Sequence, residues 1–218
     1  RFAHAVEIWL LGPIFSLWNE LRGRPALHAS AVGVGDGAIG FLATNKGGKS
    51  TLAAGLMQAG GLLLTDDILV LDVPTDRVVG RPSYPQMRMW PEQVRHFVGD
   101  VAEWPRVVPH LSKRRVAVGP EGFGSFADAG RPVTHLFLPE RRSDATDVQW
   151  SPLSPQEAVV ELLRHSFLPN TADQLGLADR RLPVLTALAD QAQVARLVYP
   201  EGAEHLPAVA ETLRRAAD

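Results

Sequence analysis

The chain has no cysteine. Disulfides, thiolate zinc sites and cysteine nucleophiles are excluded together, and a reducing, cytoplasmic setting is expected. It also lacks long apolar runs. The longest, residues 8–11 and 60–64, fall far short of the roughly 20 residues that a membrane helix needs, so no membrane partner is expected. It lacks a basic excess: 22 Lys and Arg stand against 24 Asp and Glu, a net charge of −2, which disfavours bulk binding to nucleic acid. No Gly-x-Ser-x-Gly element is present for a serine hydrolase. His4, His96, His110, His135, His165 and His205 show no metal-ligand spacing. There is no internal repeat and no low-complexity linker. No signal-peptide pattern opens the chain at Arg1, and the abrupt start leaves room for residues before it.

What is present is an ordinary globular composition, 45% hydrophobic and 21% charged over 218 residues. That length fits one domain with a sizeable core. We divide it into an N-terminal helix (1–23), an α/β core (24–150) and a mainly helical C-terminal part (151–218).

Val6, Trp9, Leu10, Ile14, Leu17, Trp18 and Leu21 recur at three- and four-residue spacings, which predicts a helix over 4–21. Gly12-Pro13 should kink or split it. Residues 27–34 and 38–42 read as a β-hairpin around Gly35-Asp36-Gly37. A Gly-rich loop (43–48) and a helix (49–59) follow. Residues 62–64 read as a strand and 68–71 as its antiparallel continuation. Residues 91–98 form a short helix, 116–118 and 135–138 strands, and 119–131 a long Gly-rich connection. Ser154-Pro155-Gln156-Glu157 is a helix start, with Ala158, Leu162, Leu163 and Phe167 as the apolar face. Helices over 182–193 and 206–216 flank a strand at 195–199. Strand, loop, helix and strand in that order argue for an α/β fold, and the hairpins for a mixed sheet.

The chemistry centres on Ala43-Thr44-Asn45-Lys46-Gly47-Gly48-Lys49-Ser50-Thr51, which fits the phosphate-binding P-loop with Ala in place of the first Gly. A strand precedes it and a helix follows, the context the motif requires. Gly47 and Gly48 let successive N–H groups turn inward, and the helix N-terminus adds partial positive charge. Lys49 can reach the β and γ phosphates, and Ser50 can offer a hydroxyl to Mg²⁺. Residues 44–51 are therefore the candidate ATP contacts.

Asp66-Asp67 ends an apolar strand. One carboxylate can hold Mg²⁺ and the other can take a proton from an attacking hydroxyl. Neighbours on a strand point to opposite faces, so both serve one centre only if the backbone bends there. His28, on the strand before the P-loop strand, becomes interesting if it lies beside this pair. A nearby carboxylate would then favour its charged form. Arg88, between Pro85 and Trp90, and Arg115, in Lys113-Arg114-Arg115, can clamp a phosphate or an acidic substrate tail.

Taken together, Leu27-His28-Ala29-Ser30-Ala31-Val32, the P-loop and Thr65-Asp66-Asp67 resemble the catalytic domain of HPr kinase/phosphorylase. The likeness is strongest over residues 24–72 and extends weakly through 84–90. It implies a P-loop kinase fold related to phosphoenolpyruvate carboxykinase, with a mixed sheet and flanking helices. It implies transfer of phosphate from ATP, with Mg²⁺, to a serine of a small protein. Lys49 and Ser50 would contact phosphate and Mg²⁺, Asp66 would be the base, Asp67 would support it and share the metal, and His28 would match the family histidine. Two positions depart: Thr51 stands where the family has Glu, and Gln86-Met87-Arg88 stands for Glu-x-Arg. A neutral Gln is a poorer Mg²⁺ ligand, which puts the reverse, phosphorolytic reaction in question. Similar proteins include kinases that tailor peptide natural products such as lasso peptides. The expectation is thus an ATP- and Mg²⁺-dependent serine kinase of a peptide or small protein, with homo-oligomerisation left open. The alternatives are a nucleotide-binding regulatory or scaffold module and a small-molecule kinase with an enclosed acceptor pocket.

Overall fold

The apolar spacing of the first 21 residues does produce helix. In the computed structural model, which describes residues 2–44 and 47–217 (only the backbone for 2–5), α1 (Phe2–Trp9) passes through a π-type turn, Leu10–Ile14, into α2 (Phe15–Leu21). Pro13 has no N–H to give, and the widened turn absorbs that loss. The orientation is unusual. An apolar stripe ordinarily marks the buried side of a helix. Here Val6, Trp9, Leu10, Ile14, Trp18 and Leu21 are all at least half exposed, while Ser16, Asn19 and Glu20 are buried. Glu20 explains the inward polar side: it accepts from the Ala26 N–H at 3.1 Å and from Arg181 Nη2 at 3.0 Å.

After β1 (Ala26–Leu27), the hairpin forms as the sequence predicts, from β2 (Ala29–Val34) and β3 (Gly37–Leu42), and α3 (Lys49–Gln58) follows the loop. Next come β4 (Leu62–Thr65), β5 (Leu69–Asp72), β6 (Val79–Arg81), β7 (Gln86–Met89), α4 (Pro91–Phe97) and β8 (Arg114–Ala117). The Gly-rich connection contains a short strand, β9 (Ser125–Phe126), before the long β10 (Arg131–Arg142) and β11 (Gln149–Pro152). Then α5 (Pro155–Arg164), α6 (Pro169–Gln174), α7 (Ala178–Gln191), β12 (Gln193–Pro200) and α8 (Leu206–Ala217) complete the chain's described part.

The main sheet runs β1-β5-β6-β10-β3-β2-β4-β9, with β12 added on β10 and β11 on β12. It is mixed: β10 is parallel to β3 and β12, while β2 is antiparallel to β3 and β4. Alternation along β3 sends Ile39 and Phe41 to one face, with Leu52 and Leu56 of α3 and Val209 and Leu213 of α8. Ala38 and Leu42 go to the other, with Leu162 of α5 and Leu185 and Leu188 of α7. Every residue of β3 is buried, so the loop that follows leaves from the middle of a two-faced core.

Two expectations need correcting. Residues 68–71 do not fold back on 62–64: β5 pairs with β1 and β6, and β4 pairs with β2 and β9. The cause lies between them, where Asp67 takes φ = +78° and redirects the chain. Leu163 was expected on the apolar face of α5, and Ala158 and Leu162 are indeed buried, but Leu163 is 39% exposed. One residue is about 100° around a helix, so Leu162 and Leu163 cannot both face α7. The capping box at Ser154 is present as predicted: Glu157 N–H donates to Ser154 Oγ, and Glu157 Oε2 accepts from Ser154 N–H at 2.9 Å.

Candidate active site

The loop from β3 to α3 is shaped for close backbone turns. Ala43 does not adopt a positive φ, which is why Ala is tolerated where the motif has Gly. A Cβ added at Gly47 would lie 2.5 Å from Ala43 Cβ, so only Gly fits. Gly48 has φ = +88° and caps α3, and a Cβ there would meet Tyr199 Oη at 2.8 Å. Gly48 thus brings the chain to the positive end of α3, the usual seat of a phosphate. Thr44 is exposed at the loop's entry. Asn45 and Lys46, also expected in this cradle, lie outside the described residues.

Lys49, the first residue of α3, is 7% exposed. Its Nζ donates to Ala43 O at 2.6 Å and to Thr44 O at 3.3 Å, and bonds His28 Nε2 at 3.1 Å. An ammonium has no acceptor, so Nε2 must accept and the imidazole proton sits on Nδ1, 3.1 Å from Asp67 O. His28 therefore does lie beside the acidic pair, and both carboxylates favour its charged form as expected, but two other influences outweigh them. Burial, then the Lys49 charge, holds its pKa below the usual value despite Asp67 and Asp66. Burial likewise lowers Lys49, with the two carboxylates opposing.

The bend at Asp67 brings both carboxylates to one centre and makes them different. Asp66 is 1% exposed. Its Oδ1 accepts from Ser30 Oγ at 2.6 Å and Ser50 Oγ at 2.9 Å, and its Oδ2 from the Arg88 N–H at 2.8 Å. Burial first, and then the Asp67 charge, push its pKa up against those three donors. Asp67 faces an open cavity instead and holds Arg88 Nη1 at 3.0 Å. That cavity, of about 470 Å³, is lined by residues 47–51, Asp67, Arg88, Lys113, Tyr199 and Leu206 among others.

A divalent cation is implied by the P-loop pattern. Among the described residues, no cluster of three or more His, Asp or Glu could cage one. A Ser50 hydroxyl beside the Asp66 carboxylate does suit Mg²⁺, which commonly takes one or two protein oxygens and fills its octahedron from phosphate and water.

Two other expected residues fall differently with respect to the cavity. Arg115 does not line it; its Nη1 donates to Glu7 of α1 at 2.5 and 2.7 Å. Thr51 lines it, yet its hydroxyl is taken by Gln93 Nε2, whose Oε1 in turn accepts from the Trp90 N–H at 2.7 Å. Gln86 is half-buried on the same side of β7 as Arg88.

Ser30, Tyr199 and Glu7 were missed by sequence reasoning. Ser30 had a signal: two residues beyond His28 on a strand, it must share its face. Tyr199 and Glu7 had none, because only packing brings them to residues about 150 and 108 positions away. No family model matches the sequence, and no curated protein matches it. Among solved structures, the chain is similar to the HPr(Ser) kinase/phosphatase from Coxiella burnetii, at 13% identity over 88% of this chain and 95% of that one, with a TM-score of 0.44.

Proposed function

We propose that the protein is an ATP- and Mg²⁺-dependent kinase that phosphorylates a serine hydroxyl of a peptide or small protein. One observation carries the reading: a P-loop backbone with its lysine, and a cavity-facing aspartate held by an arginine, border the same 470 Å³ cavity. The loop and α3 N-terminus would bind the triphosphate, with Lys49 moving from the Ala43 and Thr44 carbonyls onto the phosphate oxygens. Tyr199 and Leu206 would border the nucleoside. Ser50, its hydroxyl proton accepted by Asp66, would hold Mg²⁺, which supplies neutralisation of charge on the β and γ oxygens.

The exposures support exchanging the roles of the acidic pair relative to the sequence expectation. Asp66 is buried, accepts from three donors and does not line the cavity, so it anchors Ser50. Asp67 takes the proton of the acceptor hydroxyl while the new O–P bond forms and the bond from γ-phosphorus to ADP breaks. Arg88 orients Asp67. His28 fixes the resting position of Lys49 and the carbonyl of Asp67.

The test is transfer from γ-³²P-ATP to an arrayed library of serine-centred peptides, with ADP binding followed by calorimetry in parallel. Labelled phosphoserine, lost with Lys49→Ala, is the expected result. Nucleotide binding with no transfer to any hydroxyl would instead assign a regulatory module, and transfer only to small alcohols a small-molecule kinase.

A further inference from the structure

Arg88 and Arg115 stand opposite each other on the β7–β8 ladder, so their side chains leave the same face of this ribbon side by side. Arg88 reaches Asp67. Arg115 reaches Glu7 on α1, in a pair sheltered to 21% and 32% exposure. The contact is lopsided. Both bonds leave from Nη1, whereas a guanidinium grips a carboxylate best through two parallel N–H groups. Arg115 Nε is buried and has no partner.

It is not alone. Arg88 Nε and Tyr84 Oη are also buried without partners. Burial pushes the Tyr84 phenol up to about 12, with Asp67, Asp66 and Glu7 adding to the rise and Arg88 opposing it, so it stays a donor across ordinary pH and lies near all four. These three buried donors lack partners, a surplus that an incoming anion would satisfy. Around Glu7 on this helix, Val6, Trp9 and Leu10 are at least half exposed.

We propose that Arg115, with Tyr84 and Arg88 beside it, is the subsite for an acidic side chain of the acceptor near the receiving serine, and that Glu7 occupies it in cis until the acceptor binds. The proposal rests on the phosphotransfer reading above and names the class of its acceptor. A carboxylate that engages both Nε and Nη of Arg115 displaces Glu7 and satisfies the buried Nε that Glu7 leaves without a partner. A neutral segment leaves the guanidinium with Glu7 and gains nothing.

The experiment compares paired serine peptides that carry Glu or Gln at each flanking position. Two readouts are taken: phosphoryl transfer, and binding of the fluorescein-labelled peptides by anisotropy in the presence of Mg-ADP. The wild type should favour one Glu peptide over its Gln twin. Arg115→Gln should erase that preference, and Arg115→Lys, a gentler change, should weaken it. Glu7→Gln should tighten binding of the Glu peptide about tenfold, the factor expected if Glu7 holds the subsite roughly nine-tenths of the time. Equal binding of Glu and Gln twins at every position, or no tightening with Glu7→Gln, overturns the subsite even if transfer occurs. An acidic preference in binding with no transfer leaves the subsite standing and overturns the kinase reading.

Discussion

Exchanging Asp67 for Asn separates chemistry from architecture at this site. The substitution keeps the side chain's size, and Asn tolerates the left-handed backbone of φ = +78° at least as well as Asp. The amide oxygen can still accept from Arg88 Nη1, now at 3.0 Å from the carboxylate, so what is lost is the charge in that bond. For a partly exposed pair, 16% and 22%, this costs about 1 kcal/mol or less. An opposing gain comes from Asp66, whose buried carboxylate no longer feels its neighbour's charge. Folding stability should therefore change by no more than ~1 kcal/mol. Losing the proton acceptor should slow transfer by about 10²–10⁴, or roughly 3–5 kcal/mol in barrier height. Asp66→Asn should behave differently: it puts an amide nitrogen among three donors and should alter stability and Mg²⁺ dependence together. Urea unfolding, calorimetry with Mg-ADP and single-turnover transfer from γ-³²P-ATP measure the three quantities. An Asp67→Asn enzyme within threefold of wild-type transfer, beside an Asp66→Asn enzyme that loses only the chemical step, would refute the division of roles.

Lys49→Ala should weaken nucleotide binding by at least about tenfold through loss of the cation–phosphate contact. It should also raise the His28 titration midpoint, because the Lys49 charge is, after burial, the main influence lowering it. Histidine resonances followed through a pH titration check this, and an unmoved or lower midpoint contradicts the Lys49–His28 contact. His28, His135 and His165 are all lowered by burial. The unfolded chain then takes up protons first as pH falls below about 6.5, so stability is full above that value and declines on acidification towards each folded midpoint. Asp66, raised by burial, works in the opposite sense as it gains its proton, one group against three. Denaturation midpoints between pH 7.5 and 5.5 should fall, and a flat or rising curve would be inconsistent with neutral buried histidines.

Much of the site is legible in the residues themselves, and so are the elements that carry it. The Gly47-Gly48-Lys49-Ser50 turn, the flanking β3 and α3, the split at Gly12-Pro13 and the capping box at Ser154 each depend on contacts within a few residues. Backbone sterics and helix-end hydrogen bonds are local, so a short window specifies them.

What the sequence by itself determined was the set of chemical groups and the local turns that hold them: an anion cradle, a lysine, a serine, two adjacent carboxylates and a histidine. Packing decided which of them faces the cavity and which is buried. It sealed Asp66 behind three donors and opened Asp67 to the cavity. It lowered the pKa of His28 by burial, laid Tyr199 over Gly48 and turned Arg115 towards Glu7, 108 residues away. Burial and partnership are properties of the packed chain, because solvent exclusion and long-range Coulomb interactions depend on what folding brings near and not on what lies adjacent along the backbone.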